Sequence, residues 1–165
     1  MFSRALLSLF VAGFLAVGCA SKKPNNSQDG ADGIDAGNNG LSLQLNGDSD
    51  SSTAGGLVTV YFAFNSAQLA SSTQESLKNN AEFLKSNPTV DVQIEGHADE
   101  RGGIQYNLAL GEKRAKTVRD FLVANGISSN RISIISYGKE RPVAEGNDES
   151  AWSKNRRANF VITAK

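Results

Sequence analysis

The chain has 165 residues, with 17 basic and 17 acidic side chains, one His and one Cys. A net charge of zero gives no sign of the broad basic surface through which nucleic-acid-binding proteins attract phosphate, so we predict no nucleic-acid partner. One Cys forms no disulfide within the chain, and one Cys with one His falls short of the usual zinc site. We therefore predict no metal and no cofactor, and any function must use carboxylates, guanidiniums, amides or the backbone.

The N-terminus has the pattern of a secretory signal. A basic start at residues 1–4 precedes an unbroken run of apolar and small residues at 5–17. This run is shorter than the about 20 residues needed to cross a bilayer, and it fits the apolar region of a signal peptide. We predict that residues 1–18 are a removed lipoprotein signal.

Cys19 lies where the apolar run stops. Residues 15–19, with the sequence LAVGC, resemble the bacterial lipobox, in which a peptidase cuts before the Cys. The resemblance implies a diacylglycerol thioether and an N-acyl chain, such as palmitate, on Cys19. Several acyl chains make a stable membrane anchor. Because residue 20 is Ala and not the Asp that retains many lipoproteins in the inner membrane, the analogy favours the outer membrane.

Residues 20–56 are rich in Gly, Asn, Asp and Ser and contain no aromatic residue. Such a composition buries too little apolar surface to offset the entropy of ordering. We therefore predict that residues 19–56 are an acylated Cys followed by a flexible tether. Leu41, Leu43 and Leu45 alternate with polar residues, and a brief strand or a docking peptide for a partner are the alternatives for that stretch.

Residues 57–165 have the patterns of one folded domain. Val58, Val60 and Phe62 alternate with their neighbours and predict a half-buried strand. Ser72 and Glu75 have capping-box spacing at the start of a predicted helix, which must stop before Pro88.

A second strand is predicted by the alternation at residues 90–95, followed by a glycine-bearing loop at 96–103. A long amphipathic helix is predicted over 104–125, with Gly126 at its terminating position. Alternating apolar residues at 132–134 and 158–162 predict two more strands, with a short helix between them.

This order, β-α-β-α-β-(short helix)-β, predicts an α+β two-layer sandwich with the helices packed on one side of a mixed sheet. The strand–helix–strand repeats favour parallel pairing of the early strands. The loop at 96–103 lacks the glycine spacing of a phosphate-binding loop.

Asp99 and Arg114 are the candidate binding residues. Helical spacing places Asn107, Leu110 and Arg114 on one helix face, which meets the loop containing Asp99 if the helix folds back beside the strand. An Asp accepts hydrogen bonds from an ammonium group and an Arg binds a carboxylate with two parallel bonds, so the two residues suit a zwitterionic ligand. An ordinary surface salt bridge between them is the alternative, and the spacing alone favours it.

Four separated blocks of sequence carry a family resemblance. They are GHADERG at 96–102, YNLALGEKRA at 106–115, ISYGKERP at 135–142 and WSKNRRA at 152–158. Together, and in this order, they resemble the OmpA-like peptidoglycan-binding domain, and they are most similar to its lipoprotein members. The resemblance covers residues 57–165, and the lipobox and tether extend it over the whole chain.

The resemblance implies a set of ligand residues. In the family, the Asp and Arg at the positions of Asp99 and Arg114 hold the meso-diaminopimelate of the peptidoglycan stem peptide. Asn107 and Leu110 match helix positions that face this ligand.

The strand-end motif of the family reads FAFN at residues 62–65. Asn65 stands where the family usually has Asp, so it forms hydrogen bonds but brings no charge to an ammonium group. Phe64 is expected to line the pocket wall, with a core position at the strand end as the alternative.

The resulting prediction is a non-enzymatic outer-membrane lipoprotein that binds peptidoglycan in the periplasm and tethers the outer membrane to the wall. The resemblance also implies TolB and other Tol proteins as partners, with roles in envelope integrity and cell division. One alternative is a periplasmic lipoprotein that binds proteins but not the wall. A peptidoglycan hydrolase using His97, Asp99 and Glu100 is another alternative, but no Ser or Cys nucleophile accompanies these residues in a recognisable setting.

Overall fold

A computed structural model describes residues 43–165. The predictions for the signal, for Cys19, for Leu41 and for the first part of the tether lie outside this range. The elements are β1 (Val60–Tyr61), α1 (Ser71–Ser86), β2 (Asp91–His97), α2 (Ile104–Ala124), a 3-10 turn (Ser129–Arg131), β3 (Ile132–Gly138), α3 (Glu149–Asn155) and β4 (Arg157–Ala164). Within the described range, no helix is both long and apolar enough to cross a membrane.

The four strands form one mixed sheet in the order β1-β4-β2-β3. β2 and β3 are neighbours in the sheet and run parallel, and α2 connects them along the chain. β4 is antiparallel to both of its neighbours, β1 and β2. The predicted α+β fold is therefore confirmed, and so is parallel pairing for β2 and β3. β1 does not pair with β2, because the last strand, β4, lies between them.

The core lies between the sheet and the two long helices. Helix α2 packs across β2, β3 and β4 and also contacts α1. Each fully buried apolar side chain contributes about 1.5–3 kcal/mol to folding. The largest of these side chains are Val60, Leu77, Leu84, Val90, Val92, Ile94, Val118, Leu122, Phe160 and Ile162.

Two glycines let α2 approach β2 closely. A Cβ on Gly96 would lie 1.9 Å from the carbonyl oxygen of Gly111, and one on Gly111 would lie 2.7 Å from the carbonyl oxygen of Gly96. No side chain fits between these backbones. The contact brings the first turns of α2 against the loop that follows β2, which is where the predicted site residues lie.

The folded region begins earlier than the predicted boundary at residue 57. Residues 43–56, here called the N-terminal segment, pair with β4: Asn46 donates to the Ile162 carbonyl and Ser49 to the Phe160 carbonyl, both at 2.9 Å. Ala54 is fully buried. β1 covers only two residues, so it leaves the rest of the β4 edge unpaired, and the N-terminal segment fills that edge with backbone hydrogen bonds that hydrophobicity does not predict.

β1 is shorter than the predicted first strand, because at Val58 the Asn80 side chain takes the place of a neighbouring strand. The Asn80 side chain accepts from the Val58 backbone N–H at 3.0 Å and donates to the Val58 carbonyl at 2.9 Å. The predicted capping box is wrong: α1 begins at Ser71 with Ala70 as its N-cap, and no side chain caps it. Ser72 already lies inside the helix.

Candidate ligand-binding site

A pocket of about 190 Å³ opens where the chain leaves β1, where the loop follows β2, and along the first turns of α2. All the residues predicted to bind a ligand line it: Phe64, Asn65, Asp99, Asn107, Leu110 and Arg114. The sequence reasoning missed three further lining residues, Arg101, Gly102 and Tyr106. The fold thus brings the predicted residues together, while their role toward a ligand stays a prediction.

Asp99 lies at the base of the pocket with its carboxylate already paired. Arg101 Nη2 is 2.6 Å from Oδ2 and Arg101 Nε is 3.1 Å from Oδ1, while Arg156 Nη1 approaches Oδ2 at 3.4 Å. Burial alone would raise the pKa of the Asp99 carboxyl, but the hydrogen bonds from Arg101 and Arg156 outweigh it and hold this pKa below its usual range. Asp99 is therefore a carboxylate at neutral pH.

Arg114 is fully buried and is held by backbone carbonyls. Its guanidinium donates to Ser66 at 2.9 Å, to His97 at 2.7 Å and to Ala63 at 3.1 Å. Burial lowers the pKa of Arg114 to about 10, so it remains charged at neutral pH. The surface salt bridge considered for Asp99 and Arg114 does not form, because Asp99 pairs with other arginines. An Arg has five N–H donors, so two of those on Arg114 are not used in these three bonds.

The aromatic residues form the rim. Phe64 is 59% exposed and Tyr106 is 54% exposed, so the alternative of Phe64 as a core residue is wrong. The Tyr106 hydroxyl donates to the Asn65 side-chain oxygen. Asn65 has a φ of 53°, a left-handed conformation that Asn tolerates better than most residues.

Asn107 supports the loop after β2. Its side chain is buried and its amide donates to the Arg101 carbonyl at 2.9 Å. Leu110, one helical turn further on, supplies an apolar wall.

Arg101 lies between two aromatic rings. Its guanidinium carbon is 4.0 Å from the centre of the Phe64 ring and 3.9 Å from that of Trp152. Trp152 Nε1 donates to the Glu100 carboxylate at 2.9 Å. Arg101 and Trp152 both belong to the blocks of sequence that carry the family resemblance, but no spacing rule places residue 152 beside residue 101, so the sequence does not predict their contact.

The residues considered for a hydrolase are not brought together. His97 is buried outside the pocket lining, stacked on Tyr137 with ring centres 5.7 Å apart, and Glu100 is bonded to Trp152. Only Asp99 of the three lines the pocket. Between residues 43 and 165, no group of three His, Cys, Asp or Glu side chains is placed to hold a metal ion.

The OmpA family matches residues 61–156, and the chain belongs to this family. It is 44% identical over 154 residues to the peptidoglycan-associated lipoprotein of Mesorhizobium japonicum, covering 93% of this chain and 88% of the relative. It is 43% identical over 160 residues to the protein of the same name from Pseudomonas aeruginosa, covering 94% of each. The resemblance to the lipoprotein members of the family is confirmed.

Solved structures agree with the fold. The crystal structure of the peptidoglycan-associated lipoprotein from Burkholderia pseudomallei superposes with a TM-score of 0.61 at 45% identity, over 63% of this chain and 88% of that one. The C-terminal domain of Helicobacter pylori MotB superposes with a TM-score of 0.62 at 20% identity, over 67% of this chain and 87% of that domain. At that identity, the MotB match supports the fold alone.

Proposed function

We propose that this protein binds the diaminopimelate-containing peptide of peptidoglycan noncovalently, and is not an enzyme. The observation that carries the proposal is the meeting of a buried carboxylate, Asp99, and a buried guanidinium, Arg114, at one small pocket. The relatives are named peptidoglycan-associated lipoprotein, which supports peptidoglycan as the binding partner.

The pocket chemistry suits the end of the diaminopimelate side chain. That end carries an ammonium and a carboxylate on one carbon. Asp99 accepts from the ammonium, and the free N–H groups of Arg114 donate to the carboxylate. Leu110 and the Phe64 ring pack against the methylene groups. A pocket of about 190 Å³ takes this end group and leaves the rest of the peptide outside.

The remaining parts of the proposal concern location and partners. Acyl chains on Cys19 anchor the protein in the outer membrane, and the domain lies in the periplasm, where it links that membrane to the wall. Membership of a Tol-Pal system, with TolB and other Tol proteins as partners in envelope integrity and cell division, follows the same resemblance. Labelled palmitate must then enter the wild-type protein and fail to enter Cys19→Ser.

Co-sedimentation with purified sacculi tests wall binding. The full-length protein in detergent sediments with sacculi, and Asp99→Asn, which keeps the shape but removes the charge, stays in the supernatant. Asp120→Asn is the matched control, because Asp120 is 51% exposed on α2 and does not line the pocket. Urea unfolding confirms that the Asp99 variant is folded. Sedimentation of Asp99→Asn equal to wild type contradicts the proposal.

The same assay separates the alternatives. A lipoprotein that binds only proteins leaves even the wild-type chain in the supernatant. A hydrolase releases soluble muropeptides from the sacculi during the incubation.

A further inference from the structure

Arg101 occupies the position that the ammonium group of a ligand needs. Its Nε and Nη2 face the two carboxylate oxygens of Asp99 at 3.1 and 2.6 Å. Arg156 holds the same carboxylate from the buried side. Because Asp99 is only 4% exposed, a cation from solvent reaches it only after the Arg101 guanidinium moves away.

Arg101 is the movable partner of Asp99. Its side chain is 30% exposed, whereas that of Arg156 is 7% exposed. The Arg101 guanidinium lies between two aromatic rings at the protein surface. Because such exposed cation–π contacts are weak, contacts with water readily replace them. Glu149 offers an alternative partner, since its Oε2 lies 4.0 Å from Arg101 Nη2, while its Oε1 accepts from Arg156, and its side chain is 64% exposed.

We propose that Arg101 is an internal competitor for the ammonium position of the pocket. In the free protein its guanidinium holds Asp99, and it moves toward Glu149 when the diaminopimelate ammonium binds. This inference rests on the proposed function, because it takes diaminopimelate as the ligand.

The competition raises the affinity that any ligand needs in order to occupy the pocket. An internal competitor lowers the apparent affinity for every cation by the fraction of molecules in which Asp99 is free. A ligand with a carboxylate beside its ammonium recovers affinity at Arg114, whereas an ammonium alone does not. Arg101 thus excludes simple amines from a site that would otherwise accept them.

Calorimetric titration with the tripeptide L-alanyl-γ-D-glutamyl-meso-diaminopimelate tests the competition on the full-length protein in detergent. Arg101→Met keeps an unbranched side chain between the rings but removes the guanidinium, and it binds the tripeptide at least threefold more tightly than wild type. Arg119→Met is the control: Arg119 is 32% exposed, pairs with an acidic residue and lies outside the pocket lining. Arg119→Met leaves the affinity for the tripeptide unchanged.

The outcomes distinguish the two proposals. If wild type binds and Arg101→Met binds equally or more weakly, Arg101 is not a competitor, while the proposed function stands. If neither protein binds the tripeptide, both proposals fail. Binding by Arg101→Met alone supports the competitor, because wild-type affinity has then fallen below detection.

Trp152 gives an independent readout of the movement. It is the only tryptophan in the chain, and the Arg101 guanidinium stacks on its ring. Tripeptide binding changes the Trp152 emission in wild type with the same midpoint as the calorimetric curve, and this change is absent in Arg101→Met. Emission that stays constant while wild type binds, or that changes equally in the variant, overturns the proposal.

Discussion

Arg114 joins three parts of the chain beneath the pocket, because its guanidinium donates to Ala63, Ser66 and His97. Of these three residues only His97 is buried, and a buried carbonyl left without a donor costs about 1–3 kcal/mol, whereas water can bond to the carbonyls of the more exposed Ala63 and Ser66. We therefore expect Arg114→Leu to lower the free energy of unfolding by about 1–3 kcal/mol in urea titrations. Loss of wall binding in this variant thus reflects stability as well as ligand contact.

The control for this prediction is Arg119→Leu on the same helix. Its side chain is 32% exposed, and among residues 43–165 it pairs only with the exposed Asp120, so the expected change is within about 0.5 kcal/mol. Equal losses from the two substitutions would contradict a structural role for Arg114.

His97 makes the stability depend on pH. The pKa of His97 is lowered, because the effect of burial outweighs that of the Glu95 carboxylate, which lies 3.7 Å away and raises this pKa. Arg157 on β4 also lowers this pKa, Asp50 of the N-terminal segment raises it, and neither ring nitrogen of His97 has a hydrogen-bond partner among the described residues. In the unfolded state the pKa of His97 is about 6.5, so His97 binds a proton at a higher pH there than in the folded state.

The free energy of unfolding must therefore fall as the pH falls below about 6.5, the pKa of His in the unfolded chain. We expect the free energy of unfolding to drop between pH 7.5 and 5.5 in urea titrations, by at most about 1.4 kcal/mol, which is the limit for a His that stays neutral in the folded state. The chain has one His, so His97→Gln removes this slope even if it changes the stability itself. A slope that persists in the variant would assign the effect to another group.

At the scale of elements, the N-terminal segment is tied to β4 by a charge as well as by backbone pairing. Asp50 Oδ2 lies 2.7 Å from Arg157 Nε, and the Arg157 side chain is only 3% exposed. Removing Asp50 leaves a buried guanidinium without its partner, which costs about 3–5 kcal/mol. We expect Asp50→Ala to lower the free energy of unfolding, measured in urea, by most of this amount.

Asp91→Ala is the matched control for Asp50. Asp91 also lies beside an arginine, Arg131, but it is 44% exposed and 3.7 Å away, so its loss costs less than about 1 kcal/mol. If the two variants unfold at the same urea concentration, the ion pair of Asp50 with Arg157 contributes little to the stability.

The elements also show what the sequence predicts and what it does not. Apolar periodicity predicts β2 and α2 closely, because both bury one face along their length. It does not predict the pairing of residues 46–49 with β4, which uses backbone groups in a polar stretch. The replacement of a strand partner by Asn80 is missed for the same reason.

The site shows the same division. The family motifs predict the lining residues Asp99 and Arg114, because motifs record residue types at fixed spacing. They do not predict that Arg156 approaches the Asp99 carboxylate, since this depends on where α3 and β4 place a residue far along the chain. The pairing of Arg101 with Asp99 is local, but it depends on the conformation of the loop, which the motifs do not specify.

At the scale of the whole molecule, the chain enters the domain at the sheet end opposite the pocket. The pocket follows the C-terminal end of β2, whereas Lys165 Nζ, just beyond β4, bonds to the Leu43 carbonyl at 3.0 Å. Because β4 is antiparallel to β2, with Asp91 opposite Ala164, these ends are separated by the length of β2, about 20 Å. A ligand in the pocket therefore lies away from the side where the rest of the chain attaches.

If Cys19 is the anchor and the domain binds the wall, as proposed, residues 20–42 have to span the gap between the membrane and the wall. Fully extended, they reach about 80 Å, and deleting residues 27–39 shortens this reach by about 45 Å. The deletion should leave tripeptide affinity of the purified protein unchanged, because residues 43–165 are intact. In cells, it should lower the fraction of the protein that crosslinks to peptidoglycan.

Replacing residues 27–39 with a Gly/Ser stretch of equal length is the control, since it restores the reach without the native sequence. We expect it to restore crosslinking to the wild-type fraction. If the shortened and the replaced chains crosslink equally poorly, the sequence of this stretch and not its length supports wall attachment. If both crosslink like wild type, the reach of residues 20–42 does not limit attachment.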